Sequence, residues 1–451
     1  MADLGKVWRM TPTSSISFGL CFLSMLLADR AGAAPARWWD KGWEARVPIT
    51  VEVREGLLSK RPVILPWRVI AERLGEAKIR AGSLRLVAGR RPVPFQVDHR
   101  NARGDFLPPG NLTLDPQDEL VFVCPSDRRT RLHLYLSENP KPPASFPSGV
   151  TVVEPRRQRY HRKLATAGMS IAIQGTGQLD LSANSQANSA RAAVVELMWK
   201  GYKLNPQSQS WGMVLNAHPY PSSETDRWRN VRLLVDGPVR KVVATNCSNS
   251  TASDADGQVT WQADVTRYFS MFADVPLYDV EDVAHCSVVP ASWTAGYLDQ
   301  WHAGSGLDEH DLLWEGTSGA IRMFSLAGKN IRVERIGDLM DTEQVGDAWY
   351  AWFDQKEHTG LAVFYGPPQH AGKAAPPAGI RFRGGWRWYA THNQISFTYE
   401  SLEAPVTLRH RFRMIGLDNV SPEEVAGEYR LWKNPDAGAV TIGTPERRRR
   451  R

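Results

Sequence analysis

The sequence predicts an all-β protein, a small N-terminal β-sandwich followed by a large antiparallel two-sheet sandwich. Three observations carry this reading. Val231 to Cys286 reads as short alternating runs, with Val259, Trp261, Ala263 and Val265 two residues apart and Asp-Gly pairs at the breaks. That is the pattern of antiparallel strands that each bury one face. More stretches of the same rhythm occur before and after this segment. A credible long helix, in contrast, has only one start signal, Ser421-Pro422-Glu423-Glu424, which offers an N-cap, a proline at the first helical position and a capping-box glutamate.

Taken in order, residues 1–33 have the form of a secretory signal peptide. Lys6 and Arg9 precede an apolar run from Ile16 to Ala28, and Ala31-Gly32-Ala33 supplies small residues for cleavage. The run is shorter than the roughly 20 residues of a membrane-spanning helix. Residues 37–136 then read as a small sandwich. Its strands are Arg46 to Val53, Leu84 to Val87, Pro92 to Val97, Glu119 to Val123 and Leu132 to Leu136, with a short helix at Val69 to Leu74. The stretch SENPKPPASFPSG, residues 137–149, has the composition of a semi-extended connector.

Residues 150–435 carry too many strand signals for a compact barrel and suit a large sandwich. Those signals include Ala193 to Met198, Val231 to Leu234, Ala320 to Leu326, Ile331 to Arg335, Ala348 to Phe353, Leu361 to Tyr365, Ile380 to Arg383, Ile395 to Tyr399 and Val406 to Met414. Residues 436–451 are expected to be a disordered, arginine-rich tail.

The formal charge of +7 says little about partners. Arg447 to Arg451 supply five of the seven, and residues 1–33 one more, so the folded body is near neutral. Nucleic acid is therefore not an expected partner. GTGQLD near Gly175 lacks the spacing of a phosphate loop, and no G-x-S-x-G elbow or zinc-type cysteine spacing occurs. No cofactor is expected, the alternative being Ca²⁺ held by the oxygens of Asp308, Glu309, Asp311 and Glu315. SDADG at Ser253 to Gly257 has a calcium-loop look but lacks the downstream glutamate, so a hairpin turn explains it better. Cys247 and Cys286 end the first and third strands of a meander. Two strand spacings would hold them roughly 10 Å apart, too far for a disulfide.

Aromatic residues point toward the ligand. The chain has 17 Trp, several among Arg, Gly and Asn rather than in apolar runs. A flat ring in such surroundings can stack on a sugar while its neighbours bond the hydroxyls. Trp228, Trp301, His302, Trp386, Trp388, Tyr389 and His392 are the candidate substrate-binding residues. The candidate catalytic residues are His218 and Tyr220 in NAHPYP, His285 in DVEDVAHC, and Arg322. β-Elimination from a uronate needs a cation to neutralise the carboxylate and a base for the proton beside it. Asp308, Glu309, Asp311 and Glu315 gather with His302 and His310 in a Gly-containing loop, where a hydrolase would need two suitably spaced carboxylates.

Gly237-Pro238-Val239-Arg240, followed by an aromatic strand and the acidic strand DVEDV, resembles the large super-sandwich domain of galactose-mutarotase-like and polysaccharide-lyase proteins. WEARVPITV and RPVPFQVDHR resemble the N-terminal sandwich modules that precede glycan-active domains in exported bacterial proteins. The resemblance implies a secreted or periplasmic protein that takes a polysaccharide or oligosaccharide on the concave face or loop rim. The leading expectation is a polysaccharide lyase. A non-catalytic glycan-binding or surface-assembly protein, or a glycoside hydrolase using loop carboxylates, are the alternatives.

Overall fold

The alternating runs of the sequence become antiparallel sheets throughout. The computed structural model describes residues 38–52, 57–75, 78–108, 110, 112–125, 129–139, 141–154, 162–166, 168–174, 193–200, 202–204, 229–253, 256–301, 310–325, 345–366, 369–370, 373–374, 377–386, 389–434 and 440–448. The expected signal peptide lies outside them. Of the two compact units, the one formed by residues 1–42 has a turn in which the Gly42 N–H donates to Asp40 Oδ1 at 2.7 Å. Trp43–Arg451 form the other.

In the small sandwich one sheet has the order Val440–Ile442, Ala45–Val51, Thr130–Leu136, Leu84–Ala88, Arg91–Pro92. The facing sheet has the order Lys60–Pro66, Glu119–Pro125, Phe95–Asp98. Val47, Ile49, Leu86, Leu134, Leu120 and Phe122 fill the space between them. The Lys60–Pro66 strand was not apparent in the sequence because it carries two prolines. It lies at a sheet edge, where a missing N–H is tolerated.

The C-terminal residues require a correction. Val440–Ile442 and Glu446–Arg447 are not a disordered tail but pair with Ala45–Val51. Glu446 accepts from the buried Arg46 at 2.5 and 2.7 Å, so the end of the chain completes the first sheet. The proline-rich connector is also pinned: Phe146 packs edge-on against Phe95, and Arg85 donates to the Pro142 carbonyl.

His99 is buried in the small sandwich with both ring nitrogens facing acceptors, Asp118 Oδ2 at 3.0 Å and the Gly110 carbonyl at 2.9 Å. Only the imidazolium donates to both. The hydrogen bond to Asp118 raises its pKa against the effect of burial. That contribution to stability is complete below the ordinary histidine value and is lost as pH rises through the raised one. Denaturant unfolding at stepped pH should therefore show His99→Gln costing more in acid than in mild alkali. Equal costs at both ends would reject the protonated reading.

The large sandwich is built on an eleven-stranded sheet. Its path is Arg229–Asp236, Arg240–Ser253, Val259–Phe272, Leu277–Val288, Val406–Asp418, Thr359–Tyr365, Val345–Asp354, Asp311–Gly316, Ile321–Ser325. The second to fourth strands of this path are the three-run meander expected from the sequence. Cys286 is a buried free thiol in the third run of that meander, and the whole Val259–Phe272 strand separates its strand from the one bearing Cys247. A five-stranded sheet from Thr151–Val153 to Tyr202–Leu204 and a three-stranded sheet (Ser292–Trp301, Tyr389–Glu400, Pro377–Trp386) accompany it. The C-terminal helix, Pro422–Lys433, starts with the capping box its sequence announces and buries Val425, Tyr429 and Trp432.

Candidate functional site

The three-stranded sheet brings together residues from distant stretches of sequence. Ser292–Trp301 and Pro377–Trp386 flank Tyr389–Glu400. Trp301 is registered opposite Thr391, and Trp386 opposite Tyr389. His392 stands between Gln300 on one side and Arg383 on the other. Four of the candidate binding positions, Trp301, Trp386, Tyr389 and His392, therefore share one end of one sheet. Period-two strands with Arg, Gly and aromatic residues place them there. His218, Tyr220, Trp228, His302 and Trp388 lie outside the described residues.

Arg322 and His285 are not brought together. Arg322 is exposed on the edge strand Ile321–Ser325, opposite Trp314. His285 is on Leu277–Val288, five strand spacings away, or roughly 24 Å at about 4.8 Å per spacing. The expected acidic loop also differs from the structure. Asp311–Gly316 is a strand, and Glu315 is buried against Trp349 Nε1 at 3.3 Å and Arg430 Nη2 at 3.1 Å. It is a docking point for the C-terminal helix and is not available as a hydrolytic carboxylate.

Two polar constellations were not apparent in the sequence. The first is a single rung on one face of the eleven-stranded sheet. Thr245, Arg267, Asp282 and His410 are registered side by side on four adjacent strands. Arg267 Nε and Nη2 both donate to Asp282 at 2.7 Å. Burial pushes the His410 pKa down to about 3, so its ring is neutral. Apolar rungs flank it, Val243, Phe269, Val280 and Phe412 on one side and Val265, Ala284 and Leu408 on the other. A buried, perturbed cluster of this kind is a recognised mark of functional sites, but ion pairs that fix a fold produce it too.

The second constellation is the seam on the opposite face, where the small sandwich meets the sheet. The Gln96 side chain caps the Gly237-Pro238-Val239-Arg240 turn: its Oε1 accepts from the Val239 and Arg240 N–H groups at 2.9 and 2.7 Å, and its Nε2 donates to the Arg240 carbonyl at 3.0 Å. A Cβ on Gly237 would collide with that amide. Arg240 reaches Asp98 at 2.5 Å and Glu119 at 2.5 Å. Arg100 reaches Glu119 at 2.8 Å and Glu281 at 3.2 Å, and Arg409 closes on Glu281 at 3.0 Å. Burial would push Glu119 up, but Arg100 and Arg240 hold it at about 2. Beyond them, Tyr268 donates to Asp105 Oδ1 at 3.0 Å, His285 Nε2 lies 3.6 Å from Asp105 Oδ2, and His285 Nδ1 lies 3.0 Å from Thr407 Oγ1. Burial, with Asp105 beside it, raises the Tyr268 pKa, which makes this phenol a poor base.

Many of the tryptophans fill the interior. Trp43, Trp67, Trp199, Trp261, Trp314, Trp349, Trp352 and Trp432 are buried. Among the described residues, no group of three or more His, Cys, Asp or Glu could hold a metal ion, and no helix is long and apolar enough to cross a membrane.

No family model and no curated protein matches the chain. Among solved structures, it is similar to a glycosyl hydrolase family 38 protein from Enterococcus faecalis, at 8% identity and a TM-score of 0.46, covering 90% of this chain and 48% of that one. It is also similar to galactose 1-epimerase from Lactobacillus acidophilus NCFM (9% identity, TM-score 0.32, 60% and 99% covered). A third is heparan sulfate lyase HepC from Pedobacter heparinus (10% identity, TM-score 0.32, 58% and 34% covered). The chain thus spans less than half the length of the Enterococcus protein.

Proposed function

We propose that this chain is an exported carbohydrate-active protein that holds an acidic polysaccharide across one end of its three-stranded sheet and cleaves it by β-elimination. The observation that carries the reading is the register of that sheet. Gln300, His392 and Arg383 share one rung at that end, while Trp301, Trp386 and Tyr389 hold the alternate positions, which strand alternation assigns to the opposite face, so a chain engaging both sets passes around the end of the sheet. An arginine and a histidine at registered positions are residue types that can supply the two groups the reaction needs, a cation for the uronate carboxylate and a base for the carbon-bound proton next to it. As the base takes that proton, the bond from the neighbouring carbon to the departing sugar oxygen breaks. A carbon–carbon double bond forms, and the departing oxygen gains a proton. His218 and Tyr220 are the other proposed bases. Trp228, His302 and Trp388 complete the sugar-holding surface in this reading.

A second reading, glycan binding without turnover, is favoured by one observation: His285 and Arg322 lie on widely separated strands. Incubation of the purified chain with acidic and neutral polysaccharides decides between the two. Unsaturated ends, followed by ultraviolet absorbance, are expected from uronate polymers alone. Retention on the polymer with no unsaturated or reducing ends would reject cleavage and leave binding. Trp386→Ala should weaken retention about tenfold, in line with a stacking contribution of about 1 kcal/mol or slightly more. Unchanged retention would remove this sheet from the ligand surface.

A further inference from the structure

We propose that His285 is a pH-operated clasp holding the 99–107 loop of the small sandwich on the eleven-stranded sheet, a device separate from the glycan surface above. The seam has two ends of different chemistry. At one end Arg240 and Arg100 meet Asp98, Glu119 and Glu281, and guanidinium charge does not change over the ordinary pH range. At the other end, among the described residues, the only cation facing Asp105 in an ion pair is an imidazole. The first end is a fixed anchor and the second can switch.

The loop is built to present Asp105. Asn101 Oδ1 accepts from the Arg103 and Asp105 N–H groups at 2.9 Å, the Gly104 N–H donates to the Asn101 carbonyl at 2.8 Å, and Gly104 takes a left-handed φ of +80°. That turn holds the Arg103 carbonyl against the Arg409 guanidinium. Tyr268 and the Asn101 amide fix the Asp105 carboxylate at 3.0 and 3.1 Å. His285 faces it with Nε2, while Nδ1 faces Thr407.

A protonated ring has an N–H for each of these partners; a neutral ring has one. The side chains of His285 and Asp105 are 24% and 21% exposed, so protons reach both. The other charged groups around the ring are known. Asp264 is registered opposite His285 on the neighbouring strand, and Arg409 is two residues beyond Thr407 but paired with Glu281. Arg100 is likewise taken by Glu119 and Glu281. Acidification tightens the loop on the sheet, and rising pH loosens it while the Arg240 anchor stays closed.

Amide hydrogen exchange of residues 101–105, corrected for intrinsic rates, tests this in the full chain. Protection should rise about three- to fivefold between about pH 8 and pH 5.5, the span over which histidine ordinarily changes charge and the scale of a partly exposed ion pair. His285→Gln should keep the low protection at both values, and His285→Lys the high protection at both. A wild-type loop whose protection ignores pH, or a His285→Gln variant with the wild-type response, would overturn the proposal. Should His285→Gln fail to fold, the wild-type profile and His285→Lys still decide it.

Discussion

Replacing Asp98 with alanine is expected to cost about 3–5 kcal/mol of stability, the usual consequence of removing one partner of a buried ion pair. Asp98 and Arg240 are both about 2% exposed, and each was desolvated to reach the seam. In the variant the Arg240 guanidinium keeps Glu119 but loses both of its contacts to Asp98, and it cannot discharge itself. Gln96 loses an acceptor in the same step. The reciprocal change separates charge from packing. In Arg240→Ala the buried Asp98 loses the cation that opposes desolvation. Burial already pushes the Asp98 pKa up, with Arg240 pulling it back. Its carboxyl should then take a proton, and a raised carboxyl pKa gives stability that is present in acid and lost as pH rises. Arg240→Ala should therefore be least damaging at low pH and Asp98→Ala should not share that dependence. Denaturant midpoints across pH measure both. A loss below about 1 kcal/mol in Asp98→Ala would mean that the seam is wet or already loose.

The fold was legible where local pattern and burial agree. Trp261, Ala263 and Val265 alternate because one face of their strand is core, although Val259 at the strand start is exposed, and the helix at Ser421 carries its own start signal. It was hidden where pairing depends on distant chain. Val440–Ile442 and Glu446–Arg447 are too short to alternate convincingly, and their partner is some four hundred residues away. Asp311–Gly316 looked like a polar loop because its acidic residues suggested solvent, whereas Glu315 is buried by the Arg430 and Trp349 that meet it. The candidate site divides the same way. Trp386, Tyr389 and His392 were visible within an unusual aromatic and basic run, and Trp301 was already a candidate beside them, but only strand register adds Gln300. The Gly237–Arg240 turn was noticed for its resemblance to super-sandwich domains; its Gln96 cap could not be seen without the fold.

The buried rung was half visible. Counting by twos from Trp261 through Val265 reaches Arg267, a charged residue at a core position, and nothing in the local sequence names its partners. Register supplies Asp282 and His410. Asp282→Ala is expected to destabilise the chain by about 3–5 kcal/mol, because Arg267 would keep its charge at 1% exposure without the bidentate carboxylate. The double change Arg267→Met with Asp282→Leu removes both charges and should recover most of that loss, since apolar residues of similar size often replace buried pairs at little or no cost. His410 adds a pH signature. Its folded pKa of about 3 is below the ordinary histidine value of about 6.5, so the unfolded chain binds the extra proton between them. Stability should rise with pH across that window and fall as acid is added, by up to about 1.4 kcal/mol per pH unit for this one group. His410→Gln should flatten the acid limb. If Asp282→Ala and the double variant are equally unstable, the rung matters for its shape rather than its charges. If His410→Gln keeps the wild-type acid limb, the titrating group lies elsewhere.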